Sequence, residues 1–149
     1  MGSEVNEMVK LFLSILHTFS MIEKKPWNIG TGSKIYLAEI QTVSVIGENP
    51  EANLTQLAEI MSVTRGAISQ TVRKLVAKKL VVHTQSRNNK EVNLALTPFG
   101  QIVNETYQAR MKEVFNFADE LYASATPADR DLVKRLFLQI HRNMKNRIS

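Results

Sequence analysis

Along the first two dozen positions, apolar residues recur at intervals of three and four: Val5, Met8, Phe12, Ile15, Phe19 and Ile22. That spacing predicts a helix over residues 4–24. Val9, Leu11, Leu13 and Leu16 widen the stripe, so the helix needs cover on more than one side, from a partner subunit or from its own chain. A proline and two glycines within 26–33 end it. A second helix is expected over about 34–47, with Ile35, Leu37, Ile40, Val43 and Ile46 turned inward.

The pattern then shortens. In NLTQLAEIMSV, Asn53 can cap a short helix and Gln56, three residues on, can complete a capping box. Leu57, Ala58 and Met61 face inward, and Ser62-Val63 form a tight connection. Thr64 is the natural N-cap of the next helix, 64–78. Val63 and Ile68 are spaced for a hydrophobic staple. Ile68, Val72, Leu75 and Val76 make the buried stripe, while Arg65, Gly66, Ser69, Gln70, Arg73 and Lys74 occupy the opposite face.

After Leu80 the period falls to two. LVVHTQ and EVNLAL read as paired strands around Ser86-Arg87-Asn88-Asn89-Lys90, a hairpin with a basic tip. Thr97-Pro98 and Thr126-Pro127 each pair a cap with a proline at the first helical position. They open two further helices, the first reaching about Tyr122 and the second carrying Leu132, Val133, Leu136, Phe137, Ile140 and Met144. The expected class is mainly α with a small β-hairpin wing.

Charge sharpens this picture. The 149 residues carry a net charge of +5, yet no acid lies between Glu59 and Glu91. That gap holds Arg65, Arg73, Lys74, Lys78, Lys79, Arg87 and Lys90. Taking these seven from the 19 basic residues leaves 12 against 14 acidic ones, so the whole positive excess sits in one window. Such clustering is the footprint of a nucleic-acid surface.

Other chemistries find little support. There is no cysteine, which fits a reducing cytoplasm and excludes disulfides and thiolate metal sites. His17, His83 and His141 are scattered and read as structural or solvated residues, so no metal is expected. No nucleophile–base set, phosphate loop or cofactor motif occurs, so the chain reads as no enzyme, with no catalytic residues and no cofactor. Glu39, Glu59 and Glu91 lie on separate elements with no partner implied. No run of about 18 apolar residues appears, so no membrane span is expected.

Two short helices with a tight turn, the second basic and capped, followed by a hairpin, describe a winged helix-turn-helix. A helix of this size fits the major groove and reads base edges from its N-terminal residues. That assigns Arg65, Gly66, Ser69 and Gln70 as readers, with glycine allowing close approach. Thr64 suits a phosphate, and Arg73 and Lys74 suit the DNA backbone. Arg87 and Lys90 on the wing could meet a phosphate or a narrow minor groove, or be solvated charges. A winged-helix protein-interaction module that does not bind DNA specifically is the alternative reading.

The run NLTQLAEIMSVTRGAISQTVRKLVAKKLV, the basic hairpin and LALTPFG together resemble the MarR family of bacterial and archaeal transcriptional regulators, best over residues 36–100. The resemblance implies that 1–149 is one MarR-like unit. Its winged helix-turn-helix lobe would be flanked by dimerisation helices at 4–24 and 101–147. It implies a homodimer presenting two recognition helices to a pseudo-palindromic double-stranded operator, and a repressor relieved by a small, often aromatic, effector. Phe12, Phe19, Trp27 and Tyr36 could line the effector pocket, or be core aromatics. Two departures stand out. The family's Asp-x-Arg wing motif is Asn88 and Lys90 here, and Lys79 replaces the glycine that ends the recognition helix, which predicts a differently shaped turn.

Overall fold

The computed structural model describes residues 2–28, 32–85 and 92–147. Its elements run α1 (Ser3–Glu23), α2 (Leu37–Glu48), α3 (Leu54–Ile60), α4 (Arg65–Ala77), β1 (Val81–Gln85), β2 (Val92–Leu96), α5 (Pro98–Ser124) and α6 (Pro127–Lys145). The strands pair antiparallel, Val81 opposite Leu96 through to Gln85 opposite Val92. The chain divides into two compact units, Met1–Ala109 and Arg110–Ser149.

The core lies in the first unit, around α2. Ile40, Val43 and Ile46 of α2 meet Leu57 and Ala58 of α3, Ile68, Val72 and Leu75 of α4, Leu80, Val81 and Leu94 at the hairpin base, and Val103 of α5. One expectation needs correction. Ile35 is fully buried, but not as part of a helix. It precedes α2 and pairs in a β-bridge with Trp27, whose N–H donates to the Ile35 carbonyl at 2.7 Å. Trp27 is half-buried against the core, its ring centroid 6.0 Å from that of Tyr107.

Helix α1 contains no buried residue; Leu11, Leu13 and Ile15 are all exposed. By length and composition alone it passes the test for a membrane span, as core helices also do. In the second unit α6 is likewise without buried residues. It opens on a capping box: the Asp129 N–H donates to Thr126 Oγ1, and Asp129 Oδ2 accepts from the Thr126 hydroxyl (2.6 Å) and N–H (3.0 Å). These bonds, the hydroxyl's first, hold the Asp129 carboxyl below its ordinary value. A cavity of about 590 Å³ lies between the end of α5 and the start of α6, lined mainly by apolar groups including Leu121, Ala125 and Val133. Arg130 stacks over Tyr122, 4.2 Å from its ring centroid.

Candidate nucleic-acid interface

Both helices of the α3–α4 pair start as their sequences dictate. The Gln56 N–H donates to Asn53 Oδ1, and the Asn53 N–H donates back to Gln56 Oε1, each at 2.9 Å. Thr64 Oγ1 accepts from the Ala67 N–H at 3.1 Å, satisfying an amide that the first helical turn would otherwise leave open.

Both helices also end alike. Ser62, with φ 54°, lies in the left-handed region; its N–H donates to the Glu59 carbonyl and that of Val63 to Ala58. At the end of α4, Lys79 takes φ 58°, its N–H donates to Val76 and that of Leu80 to Leu75. Each is a Schellman cap, a motif that favours glycine at the left-handed position. The expectation of a differently shaped turn at Lys79 is therefore corrected: lysine adopts the conformation that glycine would supply. Buried Leu75 and Leu80 add the apolar contact that accompanies the motif.

Between these ends, α4 turns Ile68, Val72 and Leu75 inward and leaves Arg65, Gly66, Gln70, Arg73 and Lys74 exposed, with Ser69 half-buried. Thr64 is exposed beside them. The four proposed readers and Thr64 thus share the N-terminal half of one helix face. Arg73 Nε donates to the Ser69 carbonyl at 3.4 Å, laying that side chain back along its own helix. A Cβ added at Gly66 would meet nothing of the protein closer than Thr64 Oγ1 at 3.9 Å. Packing within the chain does not demand glycine there. Val63, proposed as a staple, is 44% exposed. Arg87, Asn88 and Lys90 fall outside the described residues.

Lys78 is half-buried, whereas Arg65, Arg73, Lys74 and Lys79 are exposed. Its Nζ lies 2.7 Å from both carboxylate oxygens of Glu39 and 2.7 Å from the Lys34 carbonyl. Glu39, read from sequence as having no implied partner, is buried and paired. Nothing local could have revealed the bond, since 39 residues separate the two.

The four candidate ligand-lining aromatics differ in exposure. Phe12 is half-buried, Phe19 and Tyr36 are exposed, and Trp27 packs on the core. Trp27 lines a cavity of about 260 Å³ with Pro26, Asn28, Gly32, Ser33 and Lys34; Phe12, Phe19 and Tyr36 are not among its walls. Among the described residues no group of three or more His, Asp or Glu converges as a metal site would require.

Comparison with known proteins fits this arrangement. Residues 35–90 match the model of the MarR family. Over these residues the chain is similar to the MarR family. The match spans α2, α3, α4 and β1, the elements that build and present the exposed basic face. The uncharacterized HTH-type transcriptional regulator YhjH of Bacillus subtilis is 29% identical over 139 residues, covering 87% of this chain and 77% of that protein. The adhesin competence repressor AdcR of Streptococcus pyogenes superposes with a TM-score of 0.72 at 12% identity, over 97% of this chain and 99% of that one. FabT of Streptococcus pneumoniae, solved in complex with DNA, gives 0.64 at 16% identity, over 96% of each chain. Members of the MarR family are transcriptional regulators and not enzymes.

Proposed function

We propose that this chain is a homodimeric, sequence-specific transcriptional regulator, a repressor acting on double-stranded DNA in the cytoplasm. The observation that carries the reading is the N-terminal half of α4: capped, free of acid, exposed, and backed by a fully formed core. Arg65 and Gln70 are the side chains suited to bidentate contacts with guanine and adenine. Ser69 and the Gly66 backbone complete the reading surface. Thr64, Arg73 and Lys74 hold phosphates, joined by Arg87 and Lys90 of the wing. FabT's complex with DNA supports the same use of the shared fold.

Dimerisation is assigned to helices 4–24 and 101–147, flanking the lobe at 36–100. Exposed Leu11, Leu13 and Ile15 of α1 and Phe117, Leu132 and Phe137 of α5 and α6 are apolar surface that a second copy would cover. The AdcR superposition takes in nearly the whole chain, α1 included, which favours a dimer helix over a membrane span for α1. Modulation by a small aromatic effector near Phe12, Phe19, Trp27 and Tyr36 belongs to the same reading; of the four, Trp27 lines a cavity of about 260 Å³.

The deciding experiment is a fluorescence-anisotropy titration of the protein against a duplex that it selects from a random-sequence library, with a scrambled duplex alongside. A preference of roughly 10³ or more for the selected duplex is expected. Equal binding to both would remove sequence specificity from the reading. Binding to neither would leave the protein-interaction module.

A further inference from the structure

The surplus of cations in the window between Glu59 and Glu91 invites the view that every one of them faces DNA. Lys78 does not. Its ammonium has three N–H donors, and three acceptors surround it: the two oxygens of Glu39 and the Lys34 carbonyl. Glu39 is only 6% exposed, and its Oε2 also accepts the Tyr36 N–H at 2.9 Å, at the first turn of α2. The Tyr36 ring lies 5.9 Å from the same ammonium. A buried carboxylate stripped of its cation is strongly unfavourable, so the pairing persists while the lobe is folded.

We propose that Lys78, held by Glu39, is a positioning residue for DNA recognition. It anchors the C-terminal end of α4 to the start of α2 and thereby sets the angle at which Arg65, Ser69 and Gln70 approach base edges. The inference rests on the DNA-binding reading above and adds a residue pair that touches no DNA. Its physical basis is leverage. Helix α4 has 13 residues and is about 20 Å long. The clamp sits at one end and the readers at the other, so a small pivot at Lys78 displaces the readers most. Bidentate base contacts tolerate little misplacement, whereas a phosphate contact made by a flexible side chain tolerates more.

Two substitutions separate this role from direct phosphate contact because the alternatives predict opposite signs. If Lys78 bound phosphate, Glu39→Gln would release it toward DNA and remove a negative charge, so binding to all duplexes would tighten, while Lys78→Met would weaken it. If the pair positions α4, both variants lose preference for the selected duplex and keep their affinity for the scrambled one.

The test titrates wild type, Glu39→Gln, Lys78→Met and the double variant against the selected and scrambled duplexes, with circular dichroism confirming helix content. The double variant leaves no unpaired buried charge and serves as the folded control if Lys78→Met is too unstable. The expected result is a loss of preference of about tenfold in each variant, the scale of one bidentate base contact. The double variant should be no worse than either single one, as for two residues acting as a unit. Opposite signs for the single variants would make Lys78 a phosphate ligand and overturn the proposal. Unchanged preference in the folded variants would overturn it as well. A wild type that selects no sequence would end the sequence-specific reading, and the positioning role with it.

Discussion

The Thr97 hydroxyl donates a 2.6 Å hydrogen bond to the carbonyl of Lys79, the residue held in the left-handed conformation at the end of α4. The same Thr97 oxygen accepts the Gly100 N–H at 2.9 Å and so caps α5, while the Thr97 N–H donates to the Leu80 carbonyl at 3.0 Å. One threonine therefore closes α4 and opens α5. Lys79→Gly should relieve a left-handed penalty of about 1–2 kcal/mol, partly offset by a looser unfolded chain, for a net gain of roughly 0.5–1 kcal/mol. Thr97→Val should cost about 1–2 kcal/mol through the lost cap. Urea denaturation of both variants checks the pair; a Lys79→Gly variant less stable than wild type would contradict the first.

Two glycines should respond in opposite ways to alanine. A Cβ at Gly100 would collide with the Leu80 carbonyl oxygen, which is backbone and cannot swing aside. Gly100→Ala should therefore cost about 2 kcal/mol or more. Gly66→Ala meets open space and gains helix propensity, so its stability should hold or rise by up to about 1 kcal/mol. Its affinity for the selected duplex should nevertheless fall, because the added methyl lies where the backbone is proposed to approach DNA. Thermal melts and anisotropy on the same two proteins test both halves.

Arg65→Ala should cost roughly 1–3 kcal/mol on the selected duplex and relax discrimination at one base position. Lys74→Ala should weaken selected and scrambled duplexes alike. A loss confined to the selected duplex for Lys74→Ala would show that it reads bases.

Substituting an exposed apolar residue of α1, Leu13→Glu, should yield monomers in sedimentation equilibrium and reduce affinity for the selected duplex. Leu13 is 57% exposed in the single chain, so its own fold loses little by the change. A stable dimer in that variant would place the interface elsewhere.

Stability of the α6 start should depend on acid. Asp129 has its pKa lowered from 3.8 by its bonds from Thr126. A group whose folded pKa is depressed contributes stability that is present above the unfolded value and lost as pH falls through the folded one. The melting difference between wild type and Asp129→Ala should therefore be open at neutral pH and shrink as pH falls below 3.8 and through the lowered folded value. A difference that persists unchanged in strong acid would show that the carboxylate is not its source.

Much of this was legible in the chain because the decisive signals are local. The Asn53–Gln56 box, the Thr64, Thr97 and Thr126 caps and the change of period at Leu80 each sit within a few residues of their effect. The class is accordingly mainly α with a two-stranded hairpin. What escaped was set by distance or by backbone. Ile35 sits in the same apolar run as Leu37, Ile40, Val43 and Ile46, but its pairing with Trp27 draws it out of α2. Glu39 and Lys78 meet only once α2 and α4 have packed. Lys79 was read through its side chain, while its place is fixed by the bonds of its backbone and by Thr97.

The inward commitment of Lys78 also limits how many counterions the protein can displace. Of the seven cations between Glu59 and Glu91, at most six are left to neutralise phosphates in each subunit of the proposed dimer, fewer if Arg65 meets a base instead. With one phosphate per charge, the window could drive a slope of log affinity against log salt no steeper than about −11 on B-form DNA, against about −13 if every cation were counted. The charge that gives up its share of the ionic atmosphere is the one that holds its neighbours at the angle where they can use theirs.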